Sequence, residues 1–227
     1  LTRHKKFKNI FLILKNNAKD GDLLKAGSVI AEGSGDAKLI FAAERVILNL
    51  IQHLSGVATL TKKFVEMLDN KKIQILDTRK TLPTLRELQK YAVKTGGGKN
   101  HRMNLSDMIL IKDNHIKVTE GYTKLPSVPK GFKIEIETQN LEEFKHALRF
   151  KPDVIMLDNM GIKEVKQAVK IRNSTKFTSH HLPTKLEASG GVDIKNVRKI
   201  AAAGVDMISV GELTHSFASA DISLEIL

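Results

Sequence analysis

From residue 73 onward, short runs of β-branched and apolar residues recur, separated by stretches whose apolar residues fall three or four positions apart. The runs are Ile73-Gln74-Ile75-Leu76-Asp77, Met108-Ile109-Leu110-Ile111, Lys133-Ile134-Glu135-Ile136-Glu137, Val154-Ile155-Met156-Leu157, Lys185-Leu186-Glu187-Ala188 and Met207-Ile208-Ser209-Val210. Each has the length of a strand, and their alternation with helical periodicity predicts βα units building a parallel sheet. Leu85, Leu88 and Ala92, then Leu141, Phe144 and Leu148, then Ile162, Val165 and Val169, then Ile194, Val197 and Ala201 mark the apolar faces of the crossover helices. Asp193 stands where the last of these needs an N-cap, and Gly204 where it needs a C′ glycine. An open parallel α/β barrel of the TIM type fits this pattern best.

Upstream, Val46, Ile47, Leu50, Leu54, Val57, Ala58 and Val65 mark a long helix, with a break expected at Gly56. Earlier still, Asp20-Gly21-Asp22 and Gly33-Ser34-Gly35 are turn signals around short strand-like runs. The expected organisation is a partial N-terminal α/β domain over 1–43, a catalytic barrel over 44–215, and a tail, 216–227, packing with the first part. There is no internal repeat and no low-complexity tract.

Composition narrows the class. With 227 residues, 41% of them hydrophobic, the chain can form one large α/β domain with a small accessory piece. Cysteine is absent, so disulfides and thiolate metal sites are excluded, any metal must take oxygen or histidine ligands, and a reducing cytoplasm is the expected location. The apolar run Ile10 to Leu14 follows the basic stretch Lys5 to Lys8 but is too short for a signal peptide and lacks a cleavage site, so a soluble, unexported protein is expected. A net charge of +12 raises nucleic acid, acidic membrane and anionic metabolites as partners. Aromatic residues at 5%, with no Trp, leave few platforms on which bases could stack.

In a parallel barrel every strand ends at one face, where residues just past the strands converge. Those residues are Thr78-Arg79-Lys80, Lys112 with Asp113, Asn114 and His115, Glu137, Asp158-Asn159, Ser189-Gly190-Gly191 and Gly211. Arg79 and Lys80 alone would fit a surface turn, but Lys112 follows its own strand in the same way, and cations recurring at one rim point to a shared anion. Gly96-Gly97-Gly98 precedes Lys99, Asn100, His101 and Arg102; its backbone N–H groups are expected to approach an anion, although neither a Walker nor a dinucleotide spacing is met. Glu137 and Asp158 read either as salt-bridge partners or as oxygen ligands for Mg²⁺. The glycine turns after the last two strands stand where such barrels bind phosphate. His53, His115 and His215 are candidate proton carriers.

As a set these motifs resemble the quinolinate phosphoribosyltransferase (nicotinate-nucleotide pyrophosphorylase) family. The resemblance runs through Glu44-Arg45 with Leu48-Asn49-Leu50, His53-Leu54-Ser55-Gly56, Leu76 to Thr81, Gly96 to Arg102, Ile111 to His115, Glu135 to Glu137, Leu157 to Asn159, Glu187 to Gly191, and Ser209 to Gly211 with Leu213 to Ser216. It implies transfer of phosphoribose from phosphoribosyl pyrophosphate to quinolinate with Mg²⁺, giving nicotinate mononucleotide, CO₂ and pyrophosphate. By the same resemblance Arg79, Lys80, His101, Arg102 and Lys112 take the quinolinate carboxylates and neighbouring phosphate, while Glu137 and Asp158 take ribose and metal, directly or through substrate and water. Ser189, Gly190, Gly191, Gly211 and His215 hold the 5′-phosphate, Thr78 lines the site, and Lys80, Lys112, Glu137 and Asp158 form the catalytic set. Arg45 is expected to reach the partner's active site, which implies a homodimer or a higher oligomer built on it. Much of the first domain is expected to precede Leu1.

The chain departs from the family pattern at Thr84, where glycine is usual, at Glu212, where a small residue is usual, and in a longer loop over 173–184. Three other readings stand beside this one: a molybdate-transport-linked paralogue of the same fold, against which Lys112 argues; a Schiff-base aldolase using Lys112 or Lys80; and a non-enzymatic anion- or nucleic-acid-binding protein.

Overall fold

The computed structural model describes residues 12–68, 70–112, 131–175 and 183–227. They form two compact units, 12–56 with 218–227 and 57–217, divided inside one helix between Gly56 and Val57. Asp113, Asn114 and His115, and most of the 173–184 loop, lie outside the described residues.

In the first unit, β1 (Leu12–Asn16) pairs antiparallel with β2 (Ala31–Gly35), Leu12 opposite Gly35. Asp36 then starts α1 (Ala37–Glu66), its Oδ1 accepting from the N–H groups of Lys38 and Leu39 at 2.9 and 3.1 Å. The helix runs its 30 residues without the break expected at Gly56. One helical glycine costs about 1 kcal/mol relative to alanine, which the hydrogen bonds and packing on either side outweigh. The C-terminal segment returns to this unit: the Gln52 amide donates to the Ile222 carbonyl at 2.7 Å, and Ala220 N–H donates to the Gln52 carbonyl at 3.0 Å.

The second unit holds the six expected strands: β3 (Gln74–Leu76), β4 (Met108–Ile111), β5 (Lys133–Thr138), β6 (Val154–Asp158), β7 (Lys185–Ser189) and β8 (Met207–Ser209). All pairs are parallel and the order is β3-β8-β7-β6-β5-β4. This is the cyclic order of a barrel, with the first strand joined to the last, opened between β3 and β4. The backbone at Lys99 lies along β3 in the parallel sense, its N–H donating to the Ile75 carbonyl at 2.8 Å. The chain just before β4 therefore occupies the place beside β3.

Alternation along the strands separates two faces. Ile75, Ile134, Ile136, Ile155, Leu157, Leu186, Ala188 and Ile208, all buried, form the outer face under the helices. Those helices are α2 (Arg86–Thr95), α3 (Leu141–Arg149), α4 (Ile162–Ser174), α5 (Val197–Ala201) and α6 (Glu212–His215). Each fully buried Leu or Ile contributes roughly 1.5–3 kcal/mol. The inner face is mixed: Leu76, Val154 and Met207 form one apolar cluster, whereas Glu135, Glu187 and Ser209 are buried polar groups.

Two helices differ from expectation. On α2 the buried side chains are Gln89, Lys90, Ala92 and Val93, while Leu88 is 41% exposed and Leu85 precedes the helix. Gln89 turns inward because it is satisfied there, accepting from Leu82 N–H at 2.9 Å and donating to the Thr214 carbonyl at 3.0 Å. Asp193 does cap a turn, accepting from the N–H groups of Lys195 and Asn196 at 2.8 Å each, but α5 proper begins only at Val197. Gly204 takes φ +97°, the left-handed conformation expected of it.

Candidate active site

The strand ends bring most of the expected residues of the second unit together in small groups. After β3, Thr78 Oγ1 accepts from Lys80 N–H at 3.1 Å, which folds the turn carrying Arg79 and Lys80, both exposed. Thr214 ties that turn to α6 by donating its hydroxyl to the Lys80 carbonyl at 2.7 Å. A Cβ built on Gly211 would stand 2.9 Å from His215 Nε2 and 3.6 Å from Lys80 Cδ, so Lys80, Gly211 and His215 converge on one point of the rim. His215 Nδ1 lies 2.6 Å from Ser216 Oγ.

At the ends of β4 and β5, Lys112 Nζ donates to Glu137 Oε2 at 2.5 Å, joining a half-exposed ammonium to a carboxylate that is almost wholly buried. On β6, Asp158 is half-buried and accepts from the Asn159 side-chain amide at 3.0 Å. Asn159 N–H donates to the Ser189 carbonyl at 2.8 Å. Gly190, at φ +88°, leaves the space the Asn159 amide fills, since a Cβ there would lie 2.2 Å from Asn159 Oδ1. Ser189 thus ends β7 opposite Asp158, with the Gly190-Gly191 turn following it.

Deeper in the barrel, the His101 imidazole lies between two buried carboxyls, its Nε2 3.0 Å from Glu135 Oε2 and 3.6 Å from Glu187 Oε2. Its Nδ1 accepts from Arg102 N–H at 2.8 Å, which places the ring proton on Nε2. Ser209 donates to Glu187 Oε1 at 2.6 Å. Among the described residues neither Glu135 oxygen has an aligned hydrogen-bond partner, nor has His101 Nε2, which is close to its neighbour but off axis. Burial raises the Glu135 carboxyl to about 7; burial, reinforced by the neighbouring Glu135, raises Glu187 to about 8, and burial lowers His101. Among the described residues these three are the trio whose ligand atoms, all within 4.8 Å of one another, have metal-binding composition. A metal there would first have to displace the protons that burial retains.

His101, which the resemblance assigns to a substrate carboxylate, thus lies between two acids at the foot of the site. Arg102 donates to the Met108 carbonyl at 3.4 Å, a weak contact, and its pKa is lowered by burial and by the Arg79 guanidinium. Gly96-Gly97-Gly98 differs from expectation. Its three N–H groups donate to Ala92, Lys94 and Val93 carbonyls at 2.9–3.0 Å, finishing α2, so none remains for an anion. Gly96 and Gly98 instead allow close packing on α1, where an added Cβ would come within 2.3 Å of the Ala58 carbonyl oxygen and 2.8 Å of Thr61 Cγ2.

Arg45 belongs to the first unit, on α1, largely exposed, with its guanidinium 3.5 Å from Glu44. His53, which burial lowers, is also in that unit. Four polar residues that hold this site went unassigned in the sequence: Asp77, Lys90, Glu135 and Glu187. For the two glutamates a signal existed, a charge at the inward position of an apolar strand. For Lys90, on a helix with many other lysines nearby, there was none.

A parallel α/β barrel with acids on its inner face and cations at its strand ends defines an α/β-barrel enzyme for anionic small molecules. Two family models cover the chain, the quinolinate phosphoribosyl transferase N-terminal domain over residues 7–55 and the C-terminal domain over residues 57–225. A relative in Bacillus subtilis, named a probable carboxylating nicotinate-nucleotide pyrophosphorylase, is 44% identical over 213 residues, covering 92% of this chain and 71% of the relative. The carboxylating nicotinate-nucleotide pyrophosphorylase of Mycobacterium leprae is 39% identical over 92% of this chain and 73% of its own. The crystal structure of nicotinate-nucleotide pyrophosphorylase from Ehrlichia chaffeensis superposes with a TM-score of 0.85 at 42% identity, covering 92% of this chain and 75% of that one. The chain belongs to the quinolinate phosphoribosyl transferase family.

Proposed function

We propose that this chain transfers phosphoribose from phosphoribosyl pyrophosphate to quinolinate and decarboxylates the product to nicotinate mononucleotide, a step of NAD biosynthesis. The observation that carries this reading is the rim itself, where Lys80, Gly211 and His215 converge and Lys112 is paired with Glu137, in a chain of this family. Phosphate and carboxylate substrates need cations at fixed positions, and here the Thr78 turn carries Arg79 and Lys80 while Glu137 holds Lys112.

Arg79, Lys80, Arg102 and Lys112 bind the two carboxylates of quinolinate and the adjacent phosphate, presenting the pyridine nitrogen to ribose C1. Orientation of this kind supplies much of the rate. The nitrogen forms its bond to C1 as the bond from C1 to pyrophosphate breaks, and the bonding pair leaves with pyrophosphate. Glu137 and Asp158 stabilise the positive charge that develops on the ribose. The pyridinium then accepts the electron pair released as the carboxylate next to nitrogen departs as CO₂, and a proton takes its place. No covalent enzyme intermediate is required. Ser189, Gly190, Gly191, Gly211 and His215 hold the 5′-phosphate, and Thr78 shapes the turn that carries Arg79 and Lys80.

The carboxylates of Glu137 and Asp158 suit a hard divalent cation, but two carboxylates form no closed cage, which fits Mg²⁺ held jointly with phosphate oxygens of the donor. When bound, Mg²⁺ offsets charge on the departing pyrophosphate. We place the protein in the cytoplasm as a homodimer, with Arg45 entering the partner's site. No described helix is long and apolar enough to cross a membrane.

Incubation with quinolinate labelled in the carboxylate next to nitrogen tests the reaction. Labelled CO₂, pyrophosphate and nicotinate mononucleotide are expected in equal amounts, and product formation without CO₂ release would contradict it. Chelation should abolish turnover and added Mg²⁺ restore it; full activity in chelator would remove the metal from the account.

A further inference from the structure

Asp77 and Lys90 are both fully buried and form an ion pair, Asp77 just past β3 and Lys90 on α2. Each also bonds the main chain of one residue, His101. Asp77 Oδ1 accepts from His101 N–H at 2.9 Å, and Lys90 Nζ donates to the His101 carbonyl oxygen at 3.0 Å. With its amide nitrogen turned toward acceptors, Asn100 donates to Asp77 Oδ2 at 2.8 Å and to the Lys90 carbonyl at 2.9 Å. Packing alone does not call for such a pair, because apolar side chains of similar volume often serve an interior as well or better. What the charges add is direction. His101 is gripped at both its N–H and its carbonyl, and the next residue is Arg102, whose own N–H is held by His101 Nδ1.

We propose that the buried Asp77–Lys90 pair is a positioning device that clasps the backbone of His101 and thereby places the Arg102 guanidinium for the carboxylates of the acceptor. Neither residue touches substrate. The clasp rests on the function proposed above for Arg102, and it joins α2 to the strand-end site through the main chain.

Two variants test it, Lys90→Met and the double variant Asp77→Asn/Lys90→Met, with folding checked by thermal melting. Steady-state kinetics should show the KM for quinolinate raised roughly tenfold to hundredfold, as expected when a binding group is displaced by about 1 Å, while the KM for phosphoribosyl pyrophosphate stays at its wild-type value. A purely structural role would leave that ratio unchanged. If Lys90→Met does not fold, the double variant, which leaves no buried charge unpaired, carries the same test. A wild-type quinolinate KM in a folded variant, or an equal rise in both KM values, overturns the proposal. Hydrogen exchange reads the clasp without substrate: the His101 amide should exchange faster in the folded variant than in wild type, and unchanged protection also overturns it. Should the wild-type protein make no nicotinate mononucleotide, the proposed function fails while the exchange result still decides the clasp.

Discussion

Thr84 is an exposed, β-branched residue at φ +67°, in the left-handed region that only glycine occupies without steric cost. The resemblance to the family had marked this position as one where glycine is usual, and the backbone supplies the reason. Strain of this kind costs of order 1–3 kcal/mol. Thr84→Gly should therefore raise the melting temperature, since the relief exceeds the chain entropy that glycine adds, with activity retained; an unchanged or lower Tm would contradict the strain. The glutamates inside the barrel make a second prediction. Glu135 and Glu187 keep their protons to about pH 7 and about pH 8, against 4.5 when unfolded. The folded state therefore binds more protons between those values, and the stability this contributes is complete below pH 4.5 and lost as pH rises through 7 and 8. His101, lowered by burial, opposes this only below its unfolded value of 6.5. Tm should fall between pH 6.5 and pH 8.5, and Glu187→Gln should flatten that slope; an equal slope in the variant would exclude the pair as its source.

The six strands were legible because their outer faces are built mainly of Ile, Leu and Val, and those faces make the core under the helices. What faces inward was less legible, because periodicity places a residue on a face without naming its partner. Leu88 and Lys90 show the difference: helical spacing favours leucine inside, yet Lys90 is buried because Asp77 and the His101 carbonyl receive it. The glycine loop shows it again. Three glycines beside His101 and Arg102 read as an anion cradle, but their N–H groups finish α2 and their missing side chains admit α1. Gly96→Ala should accordingly act on stability rather than on substrate binding. A Cβ 2.3 Å from a backbone oxygen forces a shift costing about 1–3 kcal/mol or more. A lowered Tm with unchanged KM values is expected in protein that still folds, and a raised KM at native Tm would restore the anion-binding role.

At the scale of the whole molecule, the +12 charge that first admitted nucleic acid as a partner is in part local, with Arg79, Lys80, Arg102 and Lys112 set around acids at one end of a barrel. The order of β4 to β8 was legible from chain order, since consecutive βα units neighbour one another, whereas the opening between β3 and β4 was not. The assembly was not, because Arg45 sits on an exposed helix position, its guanidinium 3.5 Å from Glu44. If active sites are shared between subunits, mixing inactive Arg45→Ala with inactive Arg102→Ala should restore part of the activity. No recovery in dimers that demonstrably exchange subunits would refute sharing. The central claim is that the rim reads a dicarboxylate acceptor, and it is tested most directly by chromatographic detection of nicotinate mononucleotide from phosphoribosyl pyrophosphate and Mg²⁺ with quinolinate or nicotinate as acceptor. The account predicts product from quinolinate only, and product from nicotinate at an equal rate, or from neither, would contradict it.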